Sequence, residues 1–217
     1  MLNPALEHSR DIRYWCSYDM LTNVYASQIW HELSLYFAKS NPEKAKIWSN
    51  VADSIAEAVH KHLVWEIDGA TAYAELIDVE HGNVMVPGFS WVTIAPMSCD
   101  WYAADPENLE HTYKCYLKYG ACDYYDKYRM LDVCSTYNGT ELATGDHVIG
   151  KGLAWEIMYC KKMGYEDRLA TLIAFIEEGS DDMYRENWSY KGGEPDTANQ
   201  EQVGWLLYAM KTCFPEL

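Results

Sequence analysis

Residues 180–205, SDDMYRENWSYKGGEPDTANQEQVGW, separate two apolar helical runs and decide how the rest of the chain is read. Upstream, Leu169, Leu172, Ile173 and Ile176 recur at helical spacing and stop at Glu178-Gly179; downstream, a second apolar run starts at Val203. Between them lies a long polar loop carrying Glu186, Trp188, Tyr190, Asp196 and Glu201, with paired glycines and Pro195. A loop of this length inside a compact helical chain is more often functional than idle. Carboxylates set among flat rings are the chemistry that holds a sugar: rings cover the apolar faces of a pyranose, and carboxylates and amides bind its hydroxyls. The same residues also suit a wet surface loop with acids at a helix start.

Working outward, the apolar periodicity predicts seven helices. The first starts near Tyr18 or Asp19, carries Leu21, Tyr25, Ile29, Leu33 and Tyr36 as its inner stripe with Val24 beside it, and ends at Lys39-Ser40. Asn41-Pro42-Glu43 gives the second a capping side chain, a proline at the first helical position and an acid in the first turn. It runs on Trp48, Val51, Ala52, Ile55, Val59 and Leu63. Residues 65–87 read as a long loop with a small hairpin. A third, short helix opens at Gly88-Phe89-Ser90-Trp91 and is limited by Pro96. Asp105-Pro106-Glu107 repeats the cap-proline-acid signal for a fourth, closed by Gly120. Residues 121–146 read as a loop with a turn at Asn138-Gly139, followed by helices over 148–163, 166–178 and 200–213. Residues 1–17 read as loop. The expected fold is all-α, built of antiparallel helical hairpins in a single domain.

A faint repeat supports hairpins. Trp30, Trp91, Trp155 and Trp205 recur about every fifty to sixty residues, the size of one helical hairpin with its loop. Gly88-Phe89-Ser90-Trp91 and Gly152-Leu153-Ala154-Trp155 match in setting, and Gly204-Trp205 echoes them. Four inner helices alternating with three outer ones make an arc of an α/α toroid.

Composition narrows the partners. The chain has 217 residues, 49% hydrophobic and 23% charged, with 33 acidic against 17 basic residues and a formal net charge of -16. A polyanion would be repelled, which argues against nucleic acid and anionic membrane surfaces and for a neutral, hydroxyl-rich ligand. Eighteen Tyr and nine Trp suit carbohydrate binding and equally an aromatic core. No run reaches membrane-spanning length and no basic-then-apolar signal opens the sequence, so a cytoplasmic protein is expected. The seven Cys are odd in number and unpaired in spacing, which reads as reduced thiols rather than a disulfide frame or zinc site. Gly150-Lys151-Gly152 is too short for a phosphate loop, and His60 and His62 face different ways on a helix. The residues imply no metal and no cofactor.

Four segments resemble the (α/α)6-toroid glycoside hydrolases of the family 63, trehalase and glycogen-debranching kind, in their C-terminal half. Tyr18-Asp19-Met20-Leu21-Thr22-Asn23-Val24-Tyr25 is similar to the family's Asp-Leu-Asn segment. The stretch from Gly145 to Trp155, GDHVIGKGLAW, resembles its Arg-Gly-Pro-x-Trp helix, with Lys151 and Leu153 at the positions that depart from it. Phe89-Ser90-Trp91 with Ala95-Pro96 fits a middle hairpin. Tyr184-Arg185-Glu186 through Gly193, closing at Val203-Gly204-Trp205, is similar to the closing Glu-x-Tyr…Gly…Gly-Trp motif that carries the catalytic base. The likeness spans nearly the whole chain, and the closing motif is its most specific part.

That resemblance implies an inverting glycosidase acting on an α-linked glucoside or mannoside. One carboxyl would protonate the leaving oxygen while Glu186 draws a proton from the attacking water. Trp91, Trp155, Trp188, Tyr190 and Trp205 would line the substrate, and Asp19 and Asn199 would bind hydroxyls. The family's acid segment has no counterpart here. Asp11 is the nearest carboxylate, with Glu7 behind it and Glu75 as a further choice; Glu201 and Glu194 stand in reserve for the base. Some six hairpins close a toroid and about three and a half are present, so the expectation is a chain incomplete at its N-terminus, whose apolar end faces drive self-association. Two other readings stay open: a sugar epimerase or lyase working through a group such as His147, and a non-catalytic sugar-binding fragment.

Overall fold

Asp19 starts the first helix. Its Oδ1 accepts the Thr22 N–H at 2.7 Å, and α1 runs Met20–Phe37. Asn41 repeats the device for α2, Pro42–His62, taking the Lys44 N–H at 3.1 Å. Asp105 accepts both Glu107 and Asn108 N–H groups, at 2.9 and 3.0 Å, to open α4 at Pro106–Cys115. Side-chain oxygens satisfy N–H groups that a helix start leaves without partners, so these three boundaries follow local chemistry. The computed structural model describes residues 17–79, 82–86, 92–124, 128–131, 136–137, 142–143, 147–179, 187–189 and 200–216.

The remaining helices are α3 (Ala95–Ser98), α5 (Gly150–Met163), α6 (Glu166–Ala174) and α7 (Gln200–Cys213). Pro96 lies in the first turn of α3 rather than beyond its end. A proline has no N–H to lose at the head of a helix, so it starts this one instead of limiting it. Both α4 and α6 widen into a π turn, at Tyr116–Gly120 and Phe175–Gly179.

Short strands fill stretches that read as loop. Val64–Ile67 (β2) and Ala70–Tyr73 (β3) pair as a hairpin turned by Asp68 and Gly69, both at positive φ. Ser17–Asp19 (β1), Leu76–Asp78 (β4) and Val84–Val86 (β5) make a three-stranded antiparallel sheet in the order β1-β4-β5. Two further hairpins join Ala121–Tyr124 (β6) to Tyr128–Leu131 (β7) and Thr136–Tyr137 (β8) to Leu142–Ala143 (β9). His147–Ile149 (β10) pairs with Asn187–Ser189 (β11), tying that strand to the head of α5.

Helix dominates, as an all-α reading requires, and alternate helices are neighbours. α1 packs on α2 and α3, α3 on α5, and α5 on α6 and α7, while α4 packs on β3. One core joins α1, α2 and the β3 region through Met20, Val24, Val59, Leu63, Tyr73 and Trp101. The other joins α4 to α7 through Tyr113, Tyr116, Trp155, Ile157, Leu172 and Phe175. The buried face of α1 is Met20, Val24, Ser27 and Ser34, not the stripe of large apolar residues. Ile29 and Tyr36 are 55% and 80% exposed. Small residues let the two backbones approach: Ser27 Oγ donates to the Ala52 carbonyl across the pair at 3.1 Å, and receives the Trp101 indole N–H at 3.2 Å. Among the described residues, no helix is long and apolar enough to cross a membrane.

Candidate functional site

Two helices present matching stripes. On α1, Tyr25, Gln28 and Glu32 fall at i, i+3 and i+7; on α7, Glu201, Trp205 and Tyr208 fall at i, i+4 and i+7. Such spacing aligns side chains on one face. The two stripes flank an open cleft of about 600 Å³, with Ser98 and Cys99 from the end of α3 and Gly204 completing its lining.

Its rings form a continuous row. Tyr25 and Trp155 have centroids 6.4 Å apart, Trp155 meets Trp205 edge-on at 5.5 Å, and Trp205 meets Tyr208 at 6.1 Å. Edge-to-face contacts of this kind hold rings in fixed orientations. Tyr208 remains 58% exposed and Trp155 only 2%. Trp155 therefore backs the wall, while Tyr25, Trp205 and Tyr208 form its surface.

The polar groups are held in place. Gln28 Oε1 accepts the Tyr102 backbone N–H at 2.8 Å, and Gln28 Nε2 donates to Glu32 Oε1 at 2.8 Å, so the amide aims the carboxylate. Ser98 Oγ donates to the Ala95 carbonyl at 2.7 Å. Tyr25 Oη lies 2.9 Å from Ser98 Oγ, a contact in which either hydroxyl can donate. Burial pushes the Tyr25 phenol up to about 12, against the Ser98 bond and helped by Cys99 and Glu201. The phenol stays neutral near pH 7. Burial likewise pushes the Cys99 thiol up to about 12, which removes it as a nucleophile at that pH. Glu201 sits in the first turn of α7, where the positive end of the helix dipole favours a carboxylate.

The predicted site residues distribute unevenly. Trp205 lines the cleft, and Trp155 lies directly behind it. Asp19 is buried and serves as the α1 cap, so one carboxylate oxygen is engaged at a backbone N–H. Trp188 belongs to β11, with its backbone opposite Val148. Glu186, Asp11, Trp91, Tyr190 and Asn199 lie outside the described residues, as do Glu7 and Glu194. Glu75 is 4% exposed between β3 and β4, and its carbonyl accepts the Met20 N–H at 2.9 Å. Of the four repeated tryptophans, two meet at the cleft, while Trp30 faces α2 and packs on Trp48 at 6.2 Å.

Gln28, Glu32, Ser98 and Tyr208 carry no role in the sequence reading, and Tyr25 stands there as part of the first helix and not as a site residue. The i, i+3, i+7 run of a ring, an amide and an acid on α1 was a legible signal, obscured because Tyr25 had been counted as core. A larger groove of about 790 Å³ lies between α2 and the β4–β5 hairpin. Apolar side chains, Ile47, Val51, Ile55, Leu63 and Ile77, dominate it, and its described lining holds no carboxylate. Its described polar groups are Tyr18, His62 and Asn and Ser side chains, so it lacks the carboxylates of the smaller cleft. Among the described residues no cluster of three or more His, Cys, Asp or Glu is placed to hold a metal ion.

Compared with known protein families and with curated proteins, the chain matches neither a family nor an individual protein.

Proposed function

We propose that the chain is an arc of an (α/α)6 toroid whose cleft between α1 and α7 takes a carbohydrate. Its proposed reaction is inverting hydrolysis of an α-linked glucoside or mannoside, with Glu186 as general base. The observation that carries the sugar reading is the cleft itself, where the rings of Tyr25, Trp205 and Tyr208 stand beside the carboxylates of Glu32 and Glu201. The neighbour order α1, α3, α5, α7, with α2 and α6 packed against alternate members, fits inner and outer helices of a toroid. The pairing of β10 with β11 starts the described part of the closing motif at the head of α5, one residue after Glu186. The free thiols Cys99, Cys115, Cys160 and Cys213 fit a reducing, cytoplasmic setting.

In this reaction Glu186 would remove a proton from the attacking water while a second carboxyl protonates the leaving oxygen. A panel of aryl and natural α-glucosides and α-mannosides tests it, read by hydrolysis and by quenching of tryptophan fluorescence. Glu186→Gln keeps the shape of the side chain but removes the proton acceptor, and should lower turnover by about a hundredfold or more with binding kept. Undiminished turnover would remove Glu186 as the base and bring Glu201 forward. Binding of sugar without hydrolysis would leave a sugar-binding chain, and binding of no sugar would end the reading.

A further inference from the structure

The groove-facing stripe of α2 carries no charge along its length and is bracketed by one charge of each sign. Ile47, Val51, Ile55 and Ala58 follow one another at i, i+4, i+8 and i+11, which keeps them on one face. Among the described lining residues of the groove there is no Asp, Glu, Lys or Arg, although α2 bears both signs elsewhere. Glu43 and Lys61 bracket the stripe, and both are exposed. From 43 to 61 the helix makes about five whole turns, so the two charges stand on the same edge of it.

The groove is narrow. From Ile47 to His62 it runs about 22 Å, at about 1.5 Å per residue. A volume of about 790 Å³ spread over that length leaves a section of about 35 Å². A whole helix, about 10 Å across, does not fit, whereas a ridge of aliphatic side chains does. The stripe of α2 is itself such a ridge. Two copies related by a two-fold axis at Val51 lay the ridge of each along the groove of the other, antiparallel. Val51 then meets its own counterpart, and Ile47 meets the partner's Ile55. The same operation brings Glu43 within about 3 Å, measured along the helix axis, of the partner's Lys61, and symmetry repeats the pair. A parallel arrangement sets like charges together at both ends, which opposes it. Charge thus selects both the occupant and its direction.

We propose that α2 is the contact of a symmetric dimer, in which a second copy of this chain covers the groove with its own α2, antiparallel about Val51. The proposal is independent of the carbohydrate reading, whose cleft lies between α1 and α7.

Cysteine cross-linking and charge reversal in the whole chain test it. Under mild oxidation Val51→Cys should form a covalent dimer well above the background of the parent chain, which has seven thiols of its own. A disulfide needs Cβ atoms about 4 Å apart, a condition that a residue on the two-fold axis meets. Ile47→Cys alone should add little, and mixed with Ile55→Cys it should cross-link. In sedimentation equilibrium Glu43→Lys and Lys61→Glu should each weaken the dimer about three- to tenfold, and the double variant should restore it. Net charge alone acts otherwise: one reversal makes the net charge of -16 smaller and the other makes it larger, so the two would move association in opposite directions.

A chain that stays single at every concentration would overturn the proposal. So would Val51→Cys cross-linking no better than the parent, or charge variants that shift in opposite directions. Saturable uptake of the neutral dye Nile red by a strictly single chain would assign the groove to a small apolar ligand instead.

Discussion

At Glu156 a carboxylate is fully buried inside α5, and three side chains close around it. Arg168 of α6 donates from Nε at 2.7 Å and from Nη2 at 3.0 Å, and the Tyr113 hydroxyl of α4 donates at 2.7 Å. Cys160 stands 3.2 Å from the same hydroxyl. The buried Glu156 charge raises the Arg168 guanidinium above its ordinary value, against the desolvation that would lower it. Desolvation and the same carboxylate drive the Tyr113 phenol far up, so it stays a donor. A bidentate pair with a third donor satisfies most of the carboxylate's lone pairs, which is what makes such burial tolerable. Removing one partner leaves a charge without compensation. Arg168→Met should therefore cost about 3–5 kcal/mol in urea unfolding, and Glu156→Gln on the same background should recover part of it. A loss below about 1 kcal/mol would mean that water or another group replaces the guanidinium. Nothing in the apolar periodicity of residues 148–163 marks Glu156 as internal, because its partners arrive from helices distant in sequence.

Most helix starts were read from short local signals and recovered, α3 excepted, whereas helix faces were recovered on α6 and only in part on α1 and α2. Pro42 and Pro106 each open a helix behind a capping side chain, and those interactions close within four residues. The faces depend on what packs there. On α1 the large residues drew the predicted stripe, yet Ser27 meets α2 at the Ala52 carbonyl and Ser34 is buried too, and a serine carries no hydropathy signal. Tyr25 was freed by that choice to reach Ser98 and Trp155. Asp19 joins the two kinds of information, since it pairs with Leu76 in the β1–β4 ladder and caps α1. Asp19→Ala should cost about 1 kcal/mol by denaturant titration, with the fold kept. A change within error would show that the cap is replaced by water at no cost, and would leave Asp19 free for the ligand role expected of it.

Across the whole molecule, apolar surface and net charge oppose each other. The groove along α2 leaves Ile47 and Tyr18 each 59% exposed and Val51 37%, and α7 leaves Leu207 64% exposed. In the toroid arc proposed above, such faces are where further hairpins would pack. Covering apolar area gains about 25 cal/mol per Å², before association costs are subtracted. Like charge resists, since each copy carries -16. Self-association should therefore strengthen with salt: light scattering should give a mass above that of one chain, rising between about 0.05 and 0.5 M salt as screening shortens the range of repulsion. Ile47→Lys with Val51→Lys should return it toward a single chain. A strict monomer at both salts would show that these faces need no cover.

The sequence by itself determined the helical class, most helix starts and the acidic balance of charge, because each rests on neighbours a few residues apart or on composition. Strands were harder: β1, β6 and β8 are two to four residues long and exist through pairing with segments that a period-2 pattern cannot reveal at that length. The candidate cleft was assembled by tertiary structure, with Trp205 as the predicted site residue that lines it. Glu32 and Glu201 sit in unrelated stretches, and Ser98 ends a helix of four residues. Only the packing of α1, α3, α5 and α7 brings them to one opening. Local chemistry decides where a helix begins, whereas a binding surface is made by whichever faces the packing leaves uncovered.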